Sequence, residues 1–441
     1  MATEHERRPP TDPGSVVLRP LRDFLHTEAA GGVILLLGAL AAIVWANSPW
    51  KASYVELWHT RLAIDLGGHV LDLDLRDWVN DGLMAVFFFV VGLEIKRELV
   101  EGELREPRRA ALPAIAALGG MAVPAVIFLG FNAGGPGHDG WGIPVATDIA
   151  MAVGVLSLLG ARVVPSLRLF LLALAIVDDI GAILIIAVFY TDHVDLVSLA
   201  GAAAIVVVVG VARRAGVQQI PVYVGLGAGL WLCLHDSGIH ATLTGVILGL
   251  MAPTRPVRHR ELIDADELDV STVERARSTV TTARGSVSVV EWLEHLLHPW
   301  TSFVVVPLFA LANAGVPVTS DALSAAASSP ITYGVVVGLV VGKLVGVTTF
   351  TWLATRLGIG ELPPGATWPG IVGIGALAGI GFTVSLFVTA LAFDDVVRQD
   401  EAKIGILAAS LIAAVLGSLL LSRVGRAETS DVAAGVDGRP S

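Results

Sequence analysis

Two adjacent carboxylates, Asp178 and Asp179, stand at the middle of LFLLALAIVDDIGAILIIAV (residues 169–188), an apolar run long enough to cross a bilayer. At that depth each would cost roughly 2.5–3.5 kcal/mol on the insertion scale, and packing has no use for them. Neighbours on a helix point about 100° apart, so one aspartate can face an aqueous cavity while the other turns toward a countercharge on another helix. The bland alternative is that one of them merely caps a broken helix. Two other apolar runs carry groups of the same kind. VATDIA places Thr147 and Asp148 in one, and VVGKLVG places Lys343 in another, with apolar neighbours too far in both directions for the ammonium to snorkel.

Asp148, Asp178, Asp179 and Lys343, if unpaired, would together cost on the order of 10 kcal/mol, as much as a whole domain's stability. They must be paired, hydrated or protonated. Three acids against one base leave a carboxylate that is either neutral or waiting for a cation. Desolvation and a like-charged neighbour favour the protonated form of a carboxylate, whereas a hard cation such as Na⁺ or Li⁺ favours the ionised form, so proton and cation would compete for one site. The expectation is that Asp179 carries this competition while Asp178 pairs with Lys343 and releases it when the cation binds. Spacing alone leaves the reverse assignment open.

The elements that must position these groups are membrane spans. Of 441 residues, 54% are hydrophobic and 16% charged, with mean hydropathy +0.72, too apolar for a soluble chain of this length. The net charge of −11 comes with no basic cluster interleaved with aromatics, so nucleic acid is not an expected partner. Cys233 is the only cysteine, which excludes an intrachain disulfide and a cysteine-rich metal site. Apolar windows of suitable length give about twelve spans between residues 24 and 424. With the N-terminus in the cytoplasm, 23 of the 29 lysines and arginines fall on inner segments, which supports that orientation and cytoplasmic termini. The reading is thus an all-α polytopic membrane protein. Disordered cytoplasmic tails are expected over 1–23 and 425–441, and a cytoplasmic loop over 255–288. Outside the membrane, residues 59–75 alternate as a small β-hairpin about Gly67-Gly68. A lone hairpin is marginal in water, so its apolar face needs a partner, either another chain or its own helix ends.

Several other features invite a role. VGLEIKRELVEGELREPRRA crowds Glu94, Arg97 and Glu98 at a cytoplasmic helix end; such clusters are commonly interfacial anchors, yet two acids one turn apart beside an arginine would titrate together. EWLEHLLHPW sets Glu294, His295 and His298 on about one helical turn, weak as a metal site and better as a group titrating near neutral pH. The fourth apolar segment contains Gly142, Pro144 and Gly154, and the eleventh is glycine-dense from Gly370 to Gly381. Small residues can simply serve packing; in corresponding positions of two halves they also mark discontinuous helices around a binding site.

In this order, VGLEIKREL, VATDIA, ALAIVDDIGAI, SGIHATLTG, EHLLHPW, LFALANAG, VVGKLVG and LAGIGFTVSLF resemble the bacterial NhaA-type sodium/proton antiporters over roughly residues 24–424. The resemblance implies twelve helices with inverted repeats, discontinuous helices at the fourth and eleventh spans, and a place in the bacterial cytoplasmic membrane. It also implies electrogenic, pH-regulated exchange of cytoplasmic Na⁺ or Li⁺ for more than one external proton, in the service of sodium and pH homeostasis. It places the cation at Asp178 and Asp179, support at Thr147 and Asp148, and the charge partner at Lys343. Glu94, Arg97, Glu98, Glu294, His295, His298 and a matching His240 would tune the pH response, and the hairpin would join two copies into a homodimer. No enzyme activity and no cofactor are expected beyond the transported ions and lipid. A sodium-coupled symporter of an organic anion is the nearest rival; it would need a basic pocket, and Lys343 is the only buried base. An intramembrane aspartyl protease and a passive channel fit less well.

Overall fold

The computed structural model describes residues 13–65, 70–191, 194–217, 219–254 and 288–436. The Gly67-Gly68 turn, all of the 255–288 loop but Ser288, and residues 1–12 and 437–441 of the tails lie outside the described residues. In chain order come α1 (Pro13–Ala46), α2 (Lys51–Trp58), β1 (Arg61–Asp65), β2 (Val70–Asp74), α3 (Leu75–Asp77), α4 (Met84–Val100) and α5 (Pro107–Asn132). Then follow α6 (Ile149–Leu158), α7 (Pro165–Phe189), α8 (Leu196–Arg214), α9 (Ile220–Ser237), α10 (Leu243–Met251), α11 (Val289–Trp300), α12 (Val306–Asn313) and α13 (Ser320–Ala326). The last are α14 (Pro330–Val337), α15 (Lys343–Arg356), α16 (Trp368–Leu377), α17 (Phe382–Ala392) and α18 (Val396–Val436). Among the described residues, seven helical stretches are long and apolar enough to cross a membrane, or up to nine when two bent pairs each count as one span, against about twelve apolar windows in the sequence.

Local chemistry explains where helices begin. Pro107, Pro165 and Pro330 open α5, α7 and α14, where a missing N–H is no loss. Side chains of Asp195, Ser288 and Thr319 accept backbone N–H bonds at the starts of α8, α11 and α13. Three helical stretches are continued through a π-helical turn rather than broken: Trp78–Leu83 leads into α4, Thr301–Val305 joins α11 to α12, and Gly338–Gly342 joins α14 to α15. Such turns rotate the residues that follow and gather at functional positions.

Packing between the helices depends on close backbone approach. A Cβ on Gly346 of α15 would run into the Gly119 carbonyl of α5, and one on Gly245 of α10 into the Ala85 carbonyl of α4. These contacts substitute small residues for the hydrophobic drive that lipid does not supply. The hairpin pairs antiparallel with Leu62 opposite Leu73 and Ile64 opposite Leu71. Leu71 is buried against Trp231 and Ala241, and Trp78 stacks on Trp231 at 6.0 Å, so β2 rests on the protein's own α9. All of β1 is exposed, including Leu62 and Ile64.

Candidate functional site

Both glycine-rich segments lose their α-helix at mid-length. In the fourth, a 3₁₀ stretch, His138–Val145, gives way to non-helical residues 146–148 before α6 begins. In the eleventh, α16 and α17 meet at 46° across residues 378–381. Breaks at membrane depth leave backbone groups that need partners, and the two breaks supply each other. Asp148 N donates to Ile380 O at 2.7 Å, and Thr147 Oγ1 lies 2.9 Å from Ala378 O.

One carboxylate then serves two helix starts. Asp148 Oδ1 accepts from Met151 N at 2.9 Å in the first turn of α6, while Oδ2 accepts from Thr383 N at 2.9 Å and Thr383 Oγ1 at 2.6 Å in the first turn of α17. Facing N-termini concentrate partial positive charge, and an acid between them offsets it.

Asp178 and Asp179 sit in the unbroken α7, where the helical offset turns them to different surroundings. Asp178 is fully buried; its Oδ2 accepts from Lys343 Nζ at 2.6 Å, with both side chains 0% exposed. Thr147 Oγ1 is 2.7 Å from the same oxygen, so its single proton can go either to Asp178 or to Ala378 O, but not to both at once. The other oxygen, Asp178 Oδ1, is buried without a hydrogen-bond partner. Gly120 of α5 packs beside the Lys343 side chain, and a Cβ there would press on Val347 at 3.0 Å.

Asp179 instead lines a cavity of ≈ 60 Å³, space for a few waters or a partly hydrated ion. Thr147, Asp148 and Thr383 line it, together with Glu94 of α4 and His298, Thr301 and Ser302 of the stretch Val289–Asn313. None of its lining residues is Lys or Arg. Asp178, Asp148 and Glu94 all lie within electrostatic reach of Asp179. Its polar lining offers oxygen ligands of the kind that suit a hard monovalent cation.

The helix-end residues divide. Arg97 bridges Glu294 and approaches Glu98 at 3.6 Å, tying α4 to α11. Glu294 is buried, with Oε2 lacking a hydrogen-bond partner. His298 faces the cavity whereas His295 is exposed, so the turn Glu294–His298 does not converge on one point. His240 lies apart from these groups, its ring Nε2 2.6 Å from Tyr190 O at the far end of α7. A larger recess of ≈ 300 Å³, lined by Glu98, Glu101, Arg105, Glu106 and Arg109, opens beside the end of α4 and contains none of the paired aspartates.

Sequence reasoning missed Thr383 and the carbonyls of Ala378 and Ile380. Thr383 follows the glycine run that marks the break, and that position was the available signal. A carbonyl has none.

The family model described as Na⁺/H⁺ antiporter 1 matches residues 22–421. The chain belongs to that family. It is 48% identical to a Na⁺/H⁺ antiporter NhaA of Rhodopirellula baltica, covering 93% of this chain and 96% of that protein. It is 46% identical to a Na⁺/H⁺ antiporter NhaA 3 of Frankia alni, over 92% and 89% of the two. The NhaA 2 protein of Sorangium cellulosum is 44% identical over 96% and 93%. The family is one of transporters rather than enzymes, and its membership agrees with the apolar helices in making this a multi-pass membrane protein.

Proposed function

We propose that the protein exchanges Na⁺ for protons, with Asp179 as the group for which they compete. The observation that carries this reading is the contrast between two neighbouring acids. Asp178 is held by Lys343, while Asp179 lines the cavity. With Asp179 protonated, the cavity holds no bare charge from it. A Na⁺ arriving from the cytoplasmic side displaces that proton and takes oxygens from Asp179 and, once Lys343 lets go, from Asp178. Lys343, deprived of its carboxylate in a dry site, gives up its own proton. Two protons then leave for one Na⁺ bound, one net charge per cycle, which makes the exchange electrogenic.

Further expectations belong to the same reading. The fourth and eleventh segments are the discontinuous helices of an inverted repeat within about twelve spans. Both termini face the cytoplasm of a bacterium, and the loop 255–288 lies on that side. Glu94, Arg97, Glu98, Glu294 and His298 adjust access to the cavity with pH, and Li⁺ substitutes for Na⁺. Exposed β1 offers Leu62 and Ile64 to a second copy. The symporter alternative is disfavoured by a cavity lining that contains no Lys or Arg and by the engagement of Lys343 with Asp178.

The test is proton movement in inside-out vesicles carrying a pH-gradient dye, with Na⁺, Li⁺ or K⁺ added separately. The wild type should respond to Na⁺ and Li⁺, and Asp179→Asn should be silent while inserted normally. Normal exchange in Asp179→Asn would overturn the assignment.

A further inference from the structure

Three aromatic rings stand next in sequence to residues that line the cavity at Asp179: Phe88 follows Phe87, Phe309 lies one turn past Val306, and Phe387 one turn past Thr383. Phe387 of α17 lies with its ring centroid 5.4 Å from that of Phe88 on α4 and 6.3 Å from that of Phe309 on α12. All three are buried, Phe309 and Phe387 at 0% exposure. Phe387 is one helical turn beyond Thr383, and Phe309 is one turn short of Asn313. Every cavity-lining residue on α17, and on the span Val289–Asn313, lies on one side of this layer: Thr383 and Val384 precede Phe387, and His298 to Val306 precede Phe309.

One turn beyond Phe309 lies a pair of amides. Asn313 Nδ2 donates to Asn80 Oδ1 at 2.7 Å and to Phe309 O at 3.0 Å. Asn313 is 1% exposed, and Asn80 sits in the π-helical turn that precedes α4. The amide pair therefore joins the two helices that carry Phe88 and Phe309, and fixes the spacing of those rings. Phe387 comes from the half-helix whose first turn is bonded to Asp148. Its ring enters between the two that are tied together.

We propose that Phe387, wedged against Phe88 and Phe309, is the seal that separates the cation site from the opposite face of the membrane, and that the Asn80–Asn313 pair positions the surface it closes on. The proposal deepens the exchange reading. An exchanger must never expose its site to both faces at once, and a ring layer one turn from Thr383 bars hydrated ions from the far face. Polar groups in place of the rings would leave a file of water between Asn313 and Asp179, and the proton gradient would short-circuit.

Access can be measured without transport. In a Cys233→Ala background, Ser302→Cys puts a thiol in the cavity wall, and a membrane-impermeant methanethiosulfonate reagent is added from the Asn313 side of sealed vesicles without Na⁺. Phe387→Ala should speed labelling at least about ten-fold, as expected when a closed state loses its advantage, and should raise passive proton leak. Phe387→Leu, which keeps most of the volume, should do so much less. Asn313→Ala should speed labelling in the same direction, and Asn80→Ala combined with it should add nothing, because the amides act as one pair. If Phe387→Ala does not insert, Phe88→Ala carries the same expectation. Unchanged labelling in well-inserted Phe387→Ala, or in Phe88→Ala where that variant stands in for it, overturns the proposal. A wild type that moves no protons on Na⁺ addition would instead refute the exchange reading, with the labelling result unaffected.

Discussion

Lys343 and Asp178 set the energetic tone at the scale of single residues. Removing one partner of a fully buried pair leaves an uncompensated charge, at a cost of about 3–5 kcal/mol. Lys343→Ala should therefore lower the unfolding temperature in detergent sharply, and Asp178→Asn added to it should recover most of the loss. Additive losses in the double variant would show that the pair is not coupled. Asp148 has a different duty, accepting three hydrogen bonds at two helix starts. Asp148→Ala leaves buried donors of Met151 and Thr383 without partners, about 1–3 kcal/mol for each, so thermal unfolding should show Asp148→Ala well below Asp148→Asn, which keeps one acceptor. The acids and Lys343 were legible in the sequence because charge at membrane depth is too costly to be incidental. Thr383 was not, since a threonine in a helix costs little and its role depends on the Asp148 carboxylate 235 positions away.

Among the elements, the hairpin was readable from the alternation of residues 59–75. The π-helical turns were not, because nothing in WVNDGL, TSFVV or GLVVG distinguishes a widened turn from an ordinary one. Their placement beside Asn80, at Ser302 and just before Lys343 aims those side chains inward. The glycine contacts can be probed directly. A Cβ at Gly346 meets the backbone of Gly119, which cannot yield as a flexible side chain would, so Gly346→Ala should force α15 off α5 and reduce the yield of folded protein; Gly225→Ala, where a Cβ meets nothing within 4 Å, is the control. At the start of α8, Asp195 accepts from Ser198 N at 2.8 Å, and that bond holds its carboxyl below the usual carboxylate range. A depressed value in the folded state means that the cap's contribution is complete above the unfolded value, about 3.9, and disappears as pH falls through the folded one. Amide exchange at Ser198 should accordingly be faster in Asp195→Ala than in the wild type at neutral pH, and the difference should vanish in strong acid. A difference that persists there would assign the protection to something other than the carboxylate.

For the molecule as a whole, the sequence yields a many-spanning apolar chain, and membership of a Na⁺/H⁺ antiporter family agrees with it. What no sequence pattern conveys is how the helices meet: two helix starts bonded to the Asp148 carboxylate, and a cavity that Asp179 lines together with Glu94 and His298. That arrangement makes competition between proton and Na⁺ at Asp179 the central claim. The most direct measurement is the Na⁺ concentration that gives half-maximal proton release, followed in vesicles from about pH 6.5 to about pH 9. If one Na⁺ displaces both protons, it should rise toward about a hundred-fold for each unit by which pH falls while Asp179 and Lys343 are both protonated, and the Na⁺ response should be absent in Asp179→Asn. A half-saturation that does not move with pH in the wild type would mean that proton and cation bind at separate places, and would contradict the account.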